Sequence, residues 1–200
     1  MMQEIRDFLG FPLRAFLLTE KWQRKLGLTT LADERLRAVT SRIEGRVLDI
    51  GCGANRLIRA WRAAGREGIG VDIFNFDGVD RVVDTAALPF RDGEFDTVVM
   101  MASLNHIPAG SRPKVLAEAR RVLKPGGKLV ATMIDPVVGW FCHKLTWWDY
   151  DQNERGMAEG EAYGLTRKDV LAAAAGAGFA PESVTGFVYG LNKLFVFRKK

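Results

Sequence analysis

Cysteine and histidine are both scarce, at two of each in 200 residues. Cys52, Cys142, His106 and His143 have no zinc-ligand spacing, and two isolated thiols make no disulfide framework, so the chain shows neither a metal site nor the signature of an oxidising compartment. It also lacks an apolar run of the ~20 residues that a membrane-spanning helix requires. The apolar N-terminal stretch, 8–18, is interrupted by Pro12 and Arg14, and Glu4 and Asp7 spoil the basic start of a secretory signal. There is no internal repeat and no low-complexity tract. These absences make a cytoplasmic location the expectation.

Charge of one sign is only slightly in excess. Lys and Arg total 29 against 24 Asp and Glu, a formal net charge of +5. That balance permits attraction to nucleic acid or anionic lipid without requiring it. The one basic run is Arg198, Lys199 and Lys200, and the other basic residues are dispersed as solvated faces are.

What is present is an alternation of strand-like and helix-like segments. A chain of 200 residues suits one domain with room for an appendage. Residues 1–44 read as a helical extension broken at Gly10, Pro12 and Gly27, with Thr30 placed to cap a helix through Leu31, Leu36 and Val39. From residue 45 the texture changes. Short continuous apolar runs occur at 47–50, 69–72, 82–83, 95–101 and 128–134, the pattern of strands buried on both faces of a parallel sheet. Between them, 55–64 carries Leu57, Ile58 and Trp61 at helical spacing, and 111–123 carries Val115, Leu116, Ala119 and Val122. Thr166 and Asp169 form a capping-box-like start for another helix. The last two apolar stretches, 184–189 and 194–197, leave no room for a helix between them and are expected to pair antiparallel. The expectation is an α/β fold: a Rossmann-like, doubly wound sheet of seven strands with the last one antiparallel, preceded by the helical extension. The domain division is 1–44 as extension or lid and 45–200 as the main domain, with 136–163 inserted as a cap.

The chemistry-bearing residues cluster at the ends of the strand-like runs. Asp49-Ile50-Gly51-Cys52-Gly53-Ala54-Asn55 lies where the first strand meets the first helix, and its glycines let backbone approach a ligand. Open α/β sheets bind ligands beyond the carboxyl ends of their strands. Arg56 stands where a dinucleotide fingerprint has its third glycine, which argues against a pyrophosphate packed on that helix. Asp72 ends the second strand about twenty residues on, where a carboxylate can accept both hydroxyls of a ribose; a turn or cap role is the alternative. Asp84 follows the third strand, placed either for an adenine amino group or for capping a turn.

The segments 47–55, 84–90 and 95–106, together with Asp72 and the turn Leu123-Lys124-Pro125-Gly126-Gly127, resemble the class I S-adenosylmethionine (SAM)-dependent methyltransferases of the small-molecule kind, the type 11-like methyltransferase domain. The resemblance runs from about residue 46 to 134. One departure is Asn55, where that family more often has glycine; asparagine tolerates a left-handed backbone. The resemblance implies SAM as cofactor, with S-adenosylhomocysteine as product. It implies Asp49, Gly51, Cys52 and Gly53 around the methionine part, and Asp72 on the ribose. Ile73 or Phe74 would lie on the adenine, with Asp84 and Thr85 at its edge. Met101, Ala102 and Ser103 would form the floor near the sulfonium.

Methyl transfer is an in-line displacement for which alignment matters most, and proximity alone can supply roughly 7–11 kcal/mol. A base is needed only if the acceptor must lose a proton. His106, just past the fourth strand, and Asp135, past the fifth, are the candidates, with structural roles as the alternative. The acceptor is sought at Trp140, Trp147, Trp148 and Tyr150, whose aromatic concentration suits either a small apolar or aromatic metabolite or the packing of a cap. The Asp-Pro-Pro-Tyr type motif of amino-group methylation on nucleic acid is absent after the fourth strand, which lowers a nucleic-acid acceptor without excluding it. The competing functions are a methyltransferase on RNA or protein, a nicotinamide-dependent oxidoreductase, and a SAM-binding protein without catalysis. The oligomeric state is not legible.

Overall fold

The computed structural model describes residues 2–10, 18–145 and 159–200. Three helices come first: α1 (Met2–Leu9), α2 (Glu20–Lys25) and α3 (Leu31–Thr40). Thr30 caps α3 through its side-chain oxygen, which accepts from the Asp33 N–H at 3.0 Å. There follow β1 (Val47–Ile50), α4 (Arg56–Ala63), β2 (Gly68–Asp72), β3 (Arg81–Val82) and β4 (Phe95–Met101). A single 3-10 turn (Leu104–His106) leads to α5 (Arg112–Val122) and β5 (Leu123–Ile134). The chain closes with α6 (Pro136–Leu145), α7 (Arg167–Gly176), β6 (Phe179–Phe187) and β7 (Asn192–Lys199).

The seven strands form one sheet in the order β3-β2-β1-β4-β5-β7-β6. Pairings among β1 to β5 are parallel, while β7 runs antiparallel to both β5 and β6. The central strands are buried along their whole length because apolar side chains of both faces meet helices: Leu48 and Ile50 pack on one side, Val47 on the other. The first face carries α5 and α7 through Val115, Leu116, Ala119, Val170 and Ala174. The second carries α3 and α4 through Val39, Leu57, Ile58 and Trp61. The capping box of Thr166 and Asp169 is formed in both directions at the start of α7.

Several boundaries differ from the sequence expectation, β6 among them, which begins at Phe179 rather than at 184. The ladder of β5 begins at Leu123 rather than at residue 128, because Leu123 already pairs with Phe95 directly after α5 ends. Pro125, Gly126 and Gly127 therefore occupy a register shift inside the ladder rather than a separate helix terminator. The hairpin turn is also earlier than expected, spanning 188–191 between the paired residues Phe187 and Asn192.

The strand order reverses between β1 and β4, so a crevice opens beyond their carboxyl ends, between the loops after them. Two contacts bring the N-terminal helices to this side. Glu20 of α2 pairs with Arg56 at the head of α4 at 3.1 Å. Phe8 of α1 meets Tyr189 of the β6–β7 turn edge-on, ring centroids 5.5 Å apart.

Candidate functional site

The loop after β1 is built on left-handed backbone. Gly51 and Gly53 have φ of +75° and +50°, and Asn55 has φ of +55° where a glycine was the family's more frequent choice. Asparagine supports that conformation better than most side chains do, and its Nδ2 donates to the Gly78 carbonyl at 2.9 Å. Gly51 has no substitute: a Cβ there would stand 2.5 Å from the Ser103 Cβ. The same Ser103 donates from its hydroxyl to the Ile50 carbonyl at 2.8 Å, which binds the loop after β4 to the end of β1. Gly53 is the reverse case, since a Cβ there would meet nothing within 4 Å. One glycine is closed by protein, and the other faces open space.

Asp49 and Asp72 give this corner its charge. Asp49 is 0% exposed, and neither carboxylate oxygen has a hydrogen-bond partner among the described residues. Burial, reinforced by the charge of Asp72, pushes its carboxyl up to about 7. Asp72 is buried at the end of β2 and accepts from the Gly53 N–H at 3.0 Å and the Phe74 N–H at 3.1 Å. Each oxygen of Asp72 thus holds one backbone donor and has lone-pair capacity for another. Cys52 is buried beside them, and burial, with the charges of Asp49, Asp72 and Asp80, pushes its thiol up. An ordinary reactive thiol is the opposite case.

Around this corner the other expected donor-site residues fall as follows. Ile73 and Phe74 are exposed apolar side chains directly after β2. Asp84 accepts from the Ala86 N–H at 2.8 Å, which is the turn role weighed for it, and its carboxylate stays on the surface beside the buried Thr85. Met101 and Ala102 are half-buried at the end of β4, and Ala102 has φ of +56°, a conformation that an alanine rarely keeps unless its surroundings require it.

Past β5, Asp135 begins α6: its Oδ1 accepts from the Val137 N–H at 3.0 Å. Trp140 and Phe141 of α6 are exposed and meet edge-on at 5.0 Å. Trp147, Trp148 and Tyr150 lie outside the described residues. His106 ends the 3-10 turn after β4, and its Nδ1 lies 3.4 Å from Glu161 Oε2. Glu161 was not singled out from the sequence. It lies 55 residues from His106 with no periodic pattern around it, so no local signal marks it.

At the opposite, amino ends of the central strands, a depression of about 620 Å³ is lined by Arg46, Arg66, Glu94, Asp96 and Lys124, among others. Arg46 pairs with Glu94 at 3.0 Å and Lys124 with Asp96 at 2.7 Å. Its charges satisfy one another, and it lies away from the strand ends where such sheets bind ligands.

The strand order and the glycine corner define the architecture of a SAM-dependent methyltransferase, and the comparisons agree. Residues 48–131 match the family model described as "Methyltransferase domain". It is similar to 27-O-demethylrifamycin SV methyltransferase of Amycolatopsis mediterranei, 36% identical over 151 residues, covering 60% of this chain and 55% of that protein. It is also similar to the demethylmenaquinone methyltransferase of Renibacterium salmoninarum, 31% identical over 134 residues, 62% of this chain and 52% of the relative. Among solved structures, the 1,6-didemethyltoxoflavin-N1-methyltransferase of Burkholderia thailandensis, with bound 1,6-didemethyltoxoflavin and S-adenosylhomocysteine, superposes with a TM-score of 0.62. The two are 18% identical, and the match covers 82% of this chain and 75% of that one. The chain spans about half the length of the curated relatives it matches.

The residues present fit SAM. A buried carboxylate without a partner among the described residues calls for a cation, and SAM carries two, an ammonium and a sulfonium. Gly53 leaves open space at its α-carbon, and its N–H is held by Asp72, whose oxygens keep lone pairs for ribose hydroxyls.

Proposed function

We propose that this protein transfers the methyl group of SAM to a small, largely apolar or aromatic acceptor. The observation that carries the reading is Asp49: a carboxylate buried to 0% exposure and unpaired among the described residues, near the carboxyl end of β1 and four residues before a glycine that opens on empty space. Leaving such a group without a partner costs stability, and a fold that retains it has a use for it.

When bound, SAM supplies a methyl group on a positively charged sulfur that is already activated for displacement. Asp49 receives the cationic methionine part, beside the open space at Gly53. Asp72 keeps the Gly53 and Phe74 N–H groups and takes the ribose hydroxyls on its remaining lone pairs. Ile73 and Phe74 cover one face of the adenine, with Asp84 and Thr85 at its edge. Met101, Ala102 and Ser103 set the floor, and the Ser103–Gly51 contact fixes its height. His106 serves as base where the acceptor must lose a proton, with Asp135 as the alternative.

The small-molecule acceptor is supported by the relatives, whose names refer to a rifamycin, a menaquinone precursor and a toxoflavin precursor. The exposed pair of Trp140 and Phe141 supports an apolar or aromatic one, and α6 with the N-terminal helices would contribute to a cover that excludes water; residues 146–158 of the expected cap lie outside the described residues. A cytoplasmic location belongs to the same proposal; among the described residues no helix is long and apolar enough to cross a membrane.

A thermal-shift screen with SAM, S-adenosylhomocysteine and NAD tests the reading. A ligand at a hundred times its dissociation constant stabilises by about 2.7 kcal/mol. SAM and its product should raise the melting temperature by several degrees and NAD should not; a shift with NAD alone would overturn the assignment.

A further inference from the structure

Asn55 heads α4, a position at which asparagine commonly caps the helix through its side chain. Here the side chain makes no capping bond. The left-handed backbone does not account for the residue either, since a glycine takes φ of +55° at less cost. Yet Asn55 is only 1% exposed, and its Oδ1 has no hydrogen-bond partner among the described residues. Burying such an amide costs free energy, so the bond it does make has to matter. That bond leaves its own loop: Nδ2 donates across 23 residues to the Gly78 carbonyl at 2.9 Å. The neighbouring strand is shaped to receive the amide. A Cβ on Gly70, in the middle of β2, would stand 2.0 Å from Asn55 Oδ1. A glycine weakens a strand interior and marks a place where another group must approach closely. Two local costs, a buried amide at 55 and a glycine at 70, thus serve one contact.

The contact closes the far end of the segment that joins β2 to β3. At the near end, Asp72 holds the Phe74 N–H with one oxygen and the Gly53 N–H with the other, at 3.1 and 3.0 Å. Between these ends the chain is a relay of turns. The Phe76 N–H donates to the Phe74 carbonyl at 3.1 Å, and the Val79 N–H to the Phe76 carbonyl at 3.2 Å. The rings of Phe74 and Phe76 meet edge-on, 5.9 Å apart. Beyond Gly78, the Asp80 carboxylate accepts from the Gly70 N–H at 2.8 Å and pairs with Arg62 at 2.8 Å. Burial raises that carboxyl, and hydrogen bonds from Arg62, the Gly70 N–H and Asn55 more than offset it, leaving it below the usual range.

The loop after β1 therefore grips the segment after β2 at two points, through Asp72 and through Asn55. The gripped segment begins with Ile73 and Phe74, the exposed apolar side chains assigned to adenine. We propose that Asn55 is a positioning residue for the adenosine half of SAM: its amide fixes residues 73–78 against the glycine loop, so that adenosine binds a wall already formed. A wall fixed in advance spares the ligand the entropy of ordering it. The inference rests on the SAM reading for the ligand, and on these hydrogen bonds for the clamp.

Asn55→Gly is the direct test, because glycine keeps the left-handed turn and removes only the amide. In the full-length protein, amide hydrogen exchange at 73–79 should quicken several-fold. Calorimetry should find S-adenosylhomocysteine and adenosine weakened by the same factor, about three- to tenfold, the worth of one neutral hydrogen bond. Equal factors are the signature, since a contact to the methionine part would weaken only the first ligand. Gly70→Ala reaches the same amide from the strand, with a methyl group that displaces it. It should reproduce the equal losses in the wild-type background and add less than about twofold in the Asn55→Gly background. Taken alone, it decides the matter if Asn55→Gly does not fold. Affinities within twofold of wild type for both ligands would overturn the proposal, as would a loss for S-adenosylhomocysteine that adenosine does not share. Wild-type protein that binds neither ligand would refute the SAM reading, and the adenosine role with it. Unchanged exchange at 73–79 in Asn55→Gly would refute the clamp itself.

Discussion

The two sides of the crevice are made by different means. On the donor side, the loops after β1, β2 and β4 lie close together, and their shape is backbone: Gly51 against Ser103, Gly53 opening on space, Asp72 holding the Gly53 N–H. On the proposed acceptor side, side chains come from segments distant in sequence: Glu161 from the segment before α7 and His106 from the loop after β4, which meet, and Trp140 and Phe141 from α6. A site made of strand-end loops admits one kind of ligand and resists change. A site made of side chains on later segments can be altered without touching the sheet, and a family can keep one cofactor while its acceptors differ.

This contrast can be broken most severely at the glycines. Gly51→Val would place a side chain on Ser103 and force a β-branched residue into the left-handed region, a backbone cost of about 1–3 kcal/mol before any overlap is counted. Chemical denaturation should show a loss beyond that figure, with no SAM binding in the remaining folded protein. Gly53→Ala has the same kind of backbone cost, about 1–2 kcal/mol, and no overlap. It should fold, lose stability only by that amount, and yet bind SAM poorly because its methyl stands in the ligand's space. Equal losses for the two would contradict the division into a closed and an open glycine.

Asp72→Ala removes a carboxylate that holds two backbone donors and is assigned two ribose hydroxyls. Each charge-assisted hydrogen bond is worth roughly 1.5–3 kcal/mol, so calorimetry should find SAM affinity down by about a hundredfold or more while circular dichroism shows the sheet intact. A smaller effect is expected across the crevice. Trp140→Ala and Phe141→Ala remove side chains that are 44% and 48% exposed. Urea midpoints should move by no more than about 1 kcal/mol, near the range of ordinary surface substitutions, with SAM affinity unchanged. A large stability loss would make these rings core and remove them from the acceptor side.

The same asymmetry decides what was legible in the sequence. Buried parallel strands announce themselves as continuous apolar runs, and left-handed turns as glycine, so β1, β2, β4 and the loop 51–55 were readable, including the tolerance of Asn55. The capping box at Thr166 was readable because it is local. Glu161 was not, because a contact across 55 residues leaves no trace in spacing. Asp135 carries a legible local signal: an Asp directly before a Pro is a common way to start a helix, and its Oδ1 does bond the Val137 N–H. The early start of β5 was hidden because the Leu123–Phe95 pairing depends on a register shift that Pro125, Gly126 and Gly127 absorb.

The buried charge has a pH signature of its own. Asp49 is raised from 3.8 to about 7 by burial first and Asp72 second. Between those values the unfolded chain loses this proton while the folded protein keeps it. The Asp49 contribution therefore favours folding most below pH 4, falls as pH rises through 7, and is flat above. Urea midpoints across pH 4–8 should carry a downward slope that Asp49→Asn removes, and a cationic ligand should bind more tightly as pH rises through 7.

The central claim is that this unpaired carboxylate exists for SAM, and calorimetric titration of wild type and Asp49→Asn with SAM at pH 8 tests it. The account predicts that the variant is at least as stable as wild type but binds SAM on the order of ten- to a hundredfold more weakly, the worth of one hydrogen bond to a charged group. Equal affinity in the two proteins would contradict it.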